Sequence, residues 1–158
     1  MVDRMAPDGK KTDMGPYWML VVAGALTRGD GLWLMHQRPL TKHHGGLWEF
    51  PGGKVEGTEF PSEALCRELK EELGVEVEEG ACAPIGFAQS APEENAAPIV
   101  ILLYKISTWD GEPEALEGEA VRWMTPEQIH SLPKPPLDTV LCSQLFADRD
   151  APDAEALR

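Results

Sequence analysis

Residues 61–74, PSEALCRELKEELG, carry the best-bounded helical pattern in the chain. Pro61 suits a first helical turn and Gly74 suits a stop. At about 100° per residue, Leu65, Cys66, Leu69 and Leu73 share an arc of roughly 100°. That stripe must be buried against something apolar. The segments on either side read as strands, so the partner is a sheet and the fold class is α+β, with helices layered on strands.

The rest of the chain fills in that frame. YWMLVVAGALT (17–27) and GLWLMHQR (31–38), separated by GDG, read as two strands of a hairpin. PLTKHHGG is a loop, LWEF (47–50) a short strand, and Pro51-Gly52-Gly53 a turn. Beyond the helix, VEVEEG (75–80) and ACAPIGFAQSA (81–91) read as one or two strands, and PEENAAP as a loop. IVILLYKIST (99–108) is expected to be a buried strand and EAVRWM (119–124) another. Helices near PEQIHSL and LDTVLCSQLFA close the chain, and DRDAPDAEALR is a solvated tail. Trp18, Trp48 and Trp123 alternate with core positions and are expected to pack there, as are Met19 and Met124.

One domain accounts for the length of 158 residues. It is expected to span 17–147, between a disordered arm (1–16) and the tail (148–158). The arm is polar, without the apolar stretch of a signal peptide, and no run reaches the roughly 18 apolar residues of a membrane helix. Cys66, Cys82 and Cys142 are far apart in sequence, odd in number and without a CxxC pair, so neither a disulfide framework nor a zinc site is expected. The cytoplasm is the compartment that this cysteine usage suits. The net charge of −13, from 27 acids and 14 bases, is expected to repel duplex nucleic acid, whose binding needs a basic face. A phosphorylated small molecule remains open as a partner if divalent cations bridge the two negative charges.

The helix itself is acidic on one side. Glu68, Glu71 and Glu72 fall together next to the apolar stripe, while Arg67 and Lys70 lie further round. Like charges at that spacing repel by a few tenths of a kcal/mol per pair. Converging carboxylate oxygens are what Mg²⁺ or Mn²⁺ requires.

The surroundings of the helix sharpen this. From Gly53 the chain reads five residues, Glu59, seven residues, Arg67-Glu68-Leu69, one residue, Glu71-Glu72, one residue, Gly74-Val75. This resembles the Nudix box, Gx5Ex7REUxEExGU with U aliphatic, at every defined position. The resemblance implies an α/β/α sandwich, a mixed sheet flanked by helices with a loop-helix-loop catalytic motif, and hydrolysis of a nucleoside diphosphate linked to another group. It implies metal ligation by Glu68, Glu71 and Glu72, by the Gly52 carbonyl and with support from Glu59, the cofactor being Mg²⁺ with Mn²⁺ as a substitute. Arg67 matches the arginine that orients the helix carboxylates. The general base is expected to be Glu71, on the helix, or Glu117, in the loop before the 119–124 strand.

HQRP followed by GLWEFPGGKVE is similar to the MutT-like branch, which splits nucleoside triphosphates into monophosphate and pyrophosphate. Arg38 and His43 precede Phe50 by twelve and seven residues. Those offsets match positions that reach the phosphates, and Phe50 matches an apolar wall of the base pocket. MutT carries an Asn near the C-terminus that bonds oxidised guanine; here Leu137-Asp138 stands in that region. Asp138 either caps a helix or reads the base, and while ionised it can only accept hydrogen bonds. The best-fitting substrate is 8-oxo-dGTP, as in sanitation of the nucleotide pool and DNA repair. The PPLD stretch is also similar to the branch acting on CTP or dCTP. Other diphosphates such as ADP-ribose form a further alternative, marked by a proline past the box, with Pro92 in that area. A nucleotide-sensing module is the non-enzymatic alternative, disfavoured because all four box glutamates are present. Long nucleic acid and membrane are not expected as partners, and the chain is expected to be a monomer or homodimer.

Overall fold

The computed structural model describes residues 17–91 and 97–147; residues 1–16, 92–96 (Pro92 and the expected loop among them) and 148–158 lie outside the described residues. Two sheets form the middle layer. The larger has the order β4-β1-β6-β5, from β4 (Gly52–Lys54), β1 (Met19–Leu26), β6 (Ile99–Ile106) and β5 (Ala83–Gln89). The smaller has the order β3-β2-β7, from β3 (Trp48–Glu49), β2 (Trp33–Gln37) and β7 (Ala120–Met124). β1 runs parallel to β6 and antiparallel to β4; the pairs β5–β6, β2–β3 and β2–β7 are antiparallel.

Strand periodicity sorts the side chains into two cores. Val22, Leu26 and Leu34 turn to one face and meet Leu65, Leu69 and Leu73 of α1 (Pro61–Leu73). Ala23, Ala25 and Met35 turn to the other and meet Trp48, Leu103, Ile129 of α2 (Pro126–His130) and Leu141 of α3 (Pro136–Leu145). Helices therefore cover both faces, as the α+β expectation requires. α1 begins with Pro61 after Phe60, whose N–H donates to Glu63 Oε2 at 3.2 Å, and ends at Gly74 in the left-handed region at φ +72°. It comes down close to β1: a Cβ on Gly24 would lie 3.4 Å from Leu69 Cδ1.

Four expectations need correction. β1 and β2 are not a hairpin but belong to different sheets, with an isolated Thr27–Trp33 bridge between them. β1 is apolar on both faces, which suits the middle of the larger sheet rather than a half-exposed hairpin arm. Residues 75–80 form no named strand: Glu76 pairs with Asp110 in an isolated bridge, and a 3₁₀ turn follows at Glu79–Ala81. Val75 and Val77 pack beneath the end of α1, so this segment follows the helix instead of a sheet edge. Trp18 is 53% exposed, ahead of β1, whereas Trp48 is buried and Trp123 stacks on Trp109. Gly52 and Gly53 are not a turn but open β4, because without side chains they can pair closely against β1. Cys66 and Cys82 are free, as expected, though neighbours in space; burial above all pushes Cys82 up to about 12.

Candidate active site

A cleft of about 950 Å³ is walled by β1, the end of β2, the β3–β4 corner, α1, the loop before β7 and the first turn of α3. Glycine permits its floor. A Cβ on Gly52 would overlap the Val22 carbonyl across the β1–β4 pair, and a Cβ on Gly53 would overlap the Glu68 carboxylate. Without side chains there, α1 lies close enough to β4 to aim Glu68 and Glu72 into the cleft.

Glu72 is buried, and its carboxylate Oε2 accepts the Gly52 N–H at 3.2 Å. Burial, then the nearby Glu49, Glu68 and Glu117, push its pKa up to about 8. Burial also raises Glu68, against the pull of Arg67. Glu117 lines the same cleft from an exposed loop tied down on both sides of it: Leu116 N–H donates to Glu72 O at 2.9 Å and Glu119 N–H to Gln37 O at 3.0 Å.

Arg67 spreads over the acids beside the cleft. Its Nε and Nη2 grip Glu59 at 2.8 and 2.9 Å, Nη1 reaches Glu68 Oε1 at 2.9 Å and Nη2 also reaches Lys54 O at 3.0 Å. The guanidinium holds Glu59 down to about 2. Glu71 is half exposed, meets Arg67 Nη1 at 3.4 Å and is not among the residues lining the cleft. Of the expected oxygen donors, the structure thus brings Gly52, Glu68 and Glu72 to the cleft, with the candidate base Glu117, and leaves Glu59 and Glu71 beside them on Arg67. Among the described residues, no three His, Cys, Asp or Glu side chains already converge as a metal cage.

Toward α3 the cleft changes character. Arg38, at the end of β2, donates from Nη1 to Glu49 Oε2 at 2.8 Å and from Nε to His43 O at 2.9 Å. His43 lines the cleft on the exposed 39–46 loop, its ring 3.9 Å from that of His44, and Lys42 lines it too. Phe50 is buried in the wall, and its N–H donates to Asp138 Oδ1 at 3.0 Å. Asp138 does not cap α3: it lies inside the first turn, with Pro135 in the cap position. Burial first and Glu49 second push its pKa up to about 7. It is therefore not confined to accepting, since near neutrality the protonated acid also donates.

Glu49 was not anticipated. It lines the cleft, and its charge raises both Glu72 and Asp138, which places it between the two acids. The available signal was the Trp48-Glu49 alternation, with Trp48 facing the core and Glu49 the other side. His36, buried next to Glu49, was missed as well.

The NUDIX domain family model matches residues 18–141. The chain is 36% identical to the CTP pyrophosphohydrolase of Escherichia coli over 138 residues, 87% of this chain and 98% of that protein. It is 37% identical to the 8-oxo-dGTP diphosphatase of Proteus vulgaris over 99 residues, 62% of this chain and 84% of that protein. The solution structure of the E. coli ORF135 protein superposes with a TM-score of 0.74 at 35% identity, covering 89% of this chain and 99% of that one. The box spacing, the two-faced sheet and these likenesses agree: the chain belongs to the Nudix family, as a MutT-like hydrolase.

Proposed function

We propose that the protein hydrolyses a nucleoside triphosphate to its monophosphate and pyrophosphate with Mg²⁺, or Mn²⁺, as cofactor, and that 8-oxo-dGTP is its substrate. One observation carries this reading. A single cleft joins crowded carboxylates of raised proton affinity (Glu68, Glu72) to cationic side chains (Arg38, Lys42) and to two acids beside a phenyl ring (Glu49, Asp138, Phe50).

The carboxylate group fits a hard divalent cation. Glu72 is buried with the Gly52 N–H as its donor, and the charges that act on it are all negative. Oxygen donors of this kind, Glu68, Glu72 and the Gly52 carbonyl, would hold the ion. When bound, the ion supplies neutralisation of phosphate charge and a water of lowered pKa. The remaining work belongs to the chain. Arg67 keeps Glu68 oriented through a rigid fork. Lys42 and His43 attract the phosphates, with Arg38 behind them. Glu117 is the better placed general base to take a proton from the attacking water, because it lines the cleft whereas Glu71 is turned to Arg67. Phe50 and Asp138 contact the base.

A cytosine nucleotide is the second reading. It is favoured by two acids, Glu49 and Asp138, at the base end of the cleft, which can accept from an exocyclic amine. The CTP pyrophosphohydrolase relative supports it too. A panel decides: 8-oxo-dGTP, dGTP, CTP, dCTP and ADP-ribose with Mg²⁺, compared by kcat/KM with products identified. The reading expects pyrophosphate and monophosphate, with 8-oxo-dGTP preferred by about a hundredfold over dGTP, roughly what one or two good hydrogen bonds supply. A peak on CTP or dCTP selects the second reading. Turnover of ADP-ribose and no triphosphate overturns both.

A further inference from the structure

His36 is the buried titratable group that the proposed chemistry leaves unused. Its residue is 1% exposed, and neither ring nitrogen has a hydrogen-bond partner in good geometry. A polar group left so is costly, while its strand neighbours Leu34 and Met35 are fully buried apolar residues. Its surroundings are specific. Across β3 it pairs with Glu49, and its Nδ1 lies 3.4 Å from Glu49 Oε1. The other oxygen of the same carboxylate, Oε2, accepts from Arg38 Nη1 at 2.8 Å. Residues 36 and 38 share one face of the strand by its period of two, so β2 addresses both oxygens of Glu49. On its far edge, Nε2 abuts Gly118: a Cβ there would overlap it. Gly118 follows Glu117 directly, and Glu119 N–H is bonded to Gln37 O at 3.0 Å. One imidazole thus separates the carboxylate at the base end of the cleft from the loop that bears Glu117.

We infer that His36 is a positioning residue: its Nδ1 edge, 3.4 Å from Glu49 Oε1, keeps that carboxylate opposite the Arg38 grip, and its Nε2 edge props Gly118 and with it Glu117. Base selection and the placing of Glu117 are then set together by one buried ring. This rests on the triphosphate reading for its effect on catalysis, but not for the contact itself. This arrangement requires the Nδ1–H tautomer, because Nε2 meets the Gly118 backbone.

Two measurements test it. The first uses the full chain without substrate. A long-range ¹⁵N–¹H spectrum of the histidine rings is expected to show His36 as the Nδ1–H tautomer, with its signals displaced in Glu49→Gln. The Nε2–H tautomer, or signals indifferent to Glu49→Gln, overturns the inference whether or not any triphosphate is cleaved. The second compares two variants on the preferred and a disfavoured nucleotide. His36→Phe keeps the ring's shape without a donor; the ratio of kcat/KM between the two nucleotides is expected to fall about tenfold, mainly through KM. His36→Asn restores an N–H near Nδ1 but not the far edge; it is expected to keep the ratio while kcat falls. Equal losses on both nucleotides in both variants mean that the ring merely fills space, and overturn the inference. Should a variant fail to fold, the spectrum of the parent still decides.

Discussion

Asp138 and Glu49 show what a single acid does when its neighbours are removed from water. Asp138 sits inside the first turn of α3, and its pKa is pushed up to about 7 by burial and by Glu49. In the unfolded chain it returns to about 3.8. The folded state therefore holds its proton more tightly, so the contribution to stability is complete below about pH 4 and is lost as pH rises through 7. The loss is on the order of a few kcal/mol, since each tenfold difference in proton affinity between the folded and unfolded chain is worth about 1.4 kcal/mol. Asp138→Asn keeps an oxygen for the Phe50 N–H and has nothing to ionise. Its melting temperature is expected to match the parent's near pH 3.5 and to exceed it near pH 8. Parallel curves over that range would mean that Asp138 ionises in the fold at no cost. At this scale the sequence was uneven. Glu68 and Glu72 were readable because helical spacing turns order into direction. Glu49 was not, because a two-residue strand offers too short a period, and its importance comes from Asp138, 89 positions away, and His36. The donor-capable state of Asp138 was unreadable for the same reason: burial is a property of the partners.

Among the elements, α1 was the most legible and the strand pairing the least. The helix carries its boundaries in Pro61 and Gly74 and its direction in Leu65, Leu69 and Leu73. Pairing depends on which strands meet. GDG between two apolar runs favours a hairpin locally, yet β1 gains more by lying between β4 and β6 with both faces covered. The 3₁₀ turn at Glu79–Ala81 is a similar case, where Val75 and Val77 follow the end of α1. What joins helix to sheet at the site is Arg67, which bonds Glu59 and Lys54 O on one side and Glu68 on the other. Lysine has the charge but one point of attachment, so it cannot bind all three at once. Arg67→Lys is expected to lower kcat by about 10- to 100-fold, as loss of a group that orients ligands does, with the far-UV circular dichroism unchanged. A kcat within twofold of the parent would show that Glu68 needs no such anchor.

On the scale of the whole molecule, charge decides which partner can approach. The chain carries −13, and its cleft gathers Glu49, Glu68, Glu72 and Glu117, while a triphosphate adds further negative charge. Arg38 is already engaged with Glu49 and cannot cancel the rest. A cation bound to the folded cleft alone should then stabilise the protein by mass action, about 2.7 kcal/mol at a hundred times its dissociation constant. For a domain of this size that raises the melting temperature by roughly 5 to 10 °C. The check is a thermal melt of chelator-treated protein with Mg²⁺ added, against NaCl of equal ionic strength. Diffuse screening of −13 predicts the same small rise from both salts, whereas a built site predicts a saturable rise with Mg²⁺ only. Glu68→Gln is expected to abolish that rise, because Glu68 is one of the oxygen donors and Gly53 has left its carboxylate room in the cleft. Glu127→Gln on α2, outside the cleft lining, is expected to keep it. A saturable rise that survives Glu68→Gln would place the cation elsewhere on the acidic surface and remove the metal role from α1.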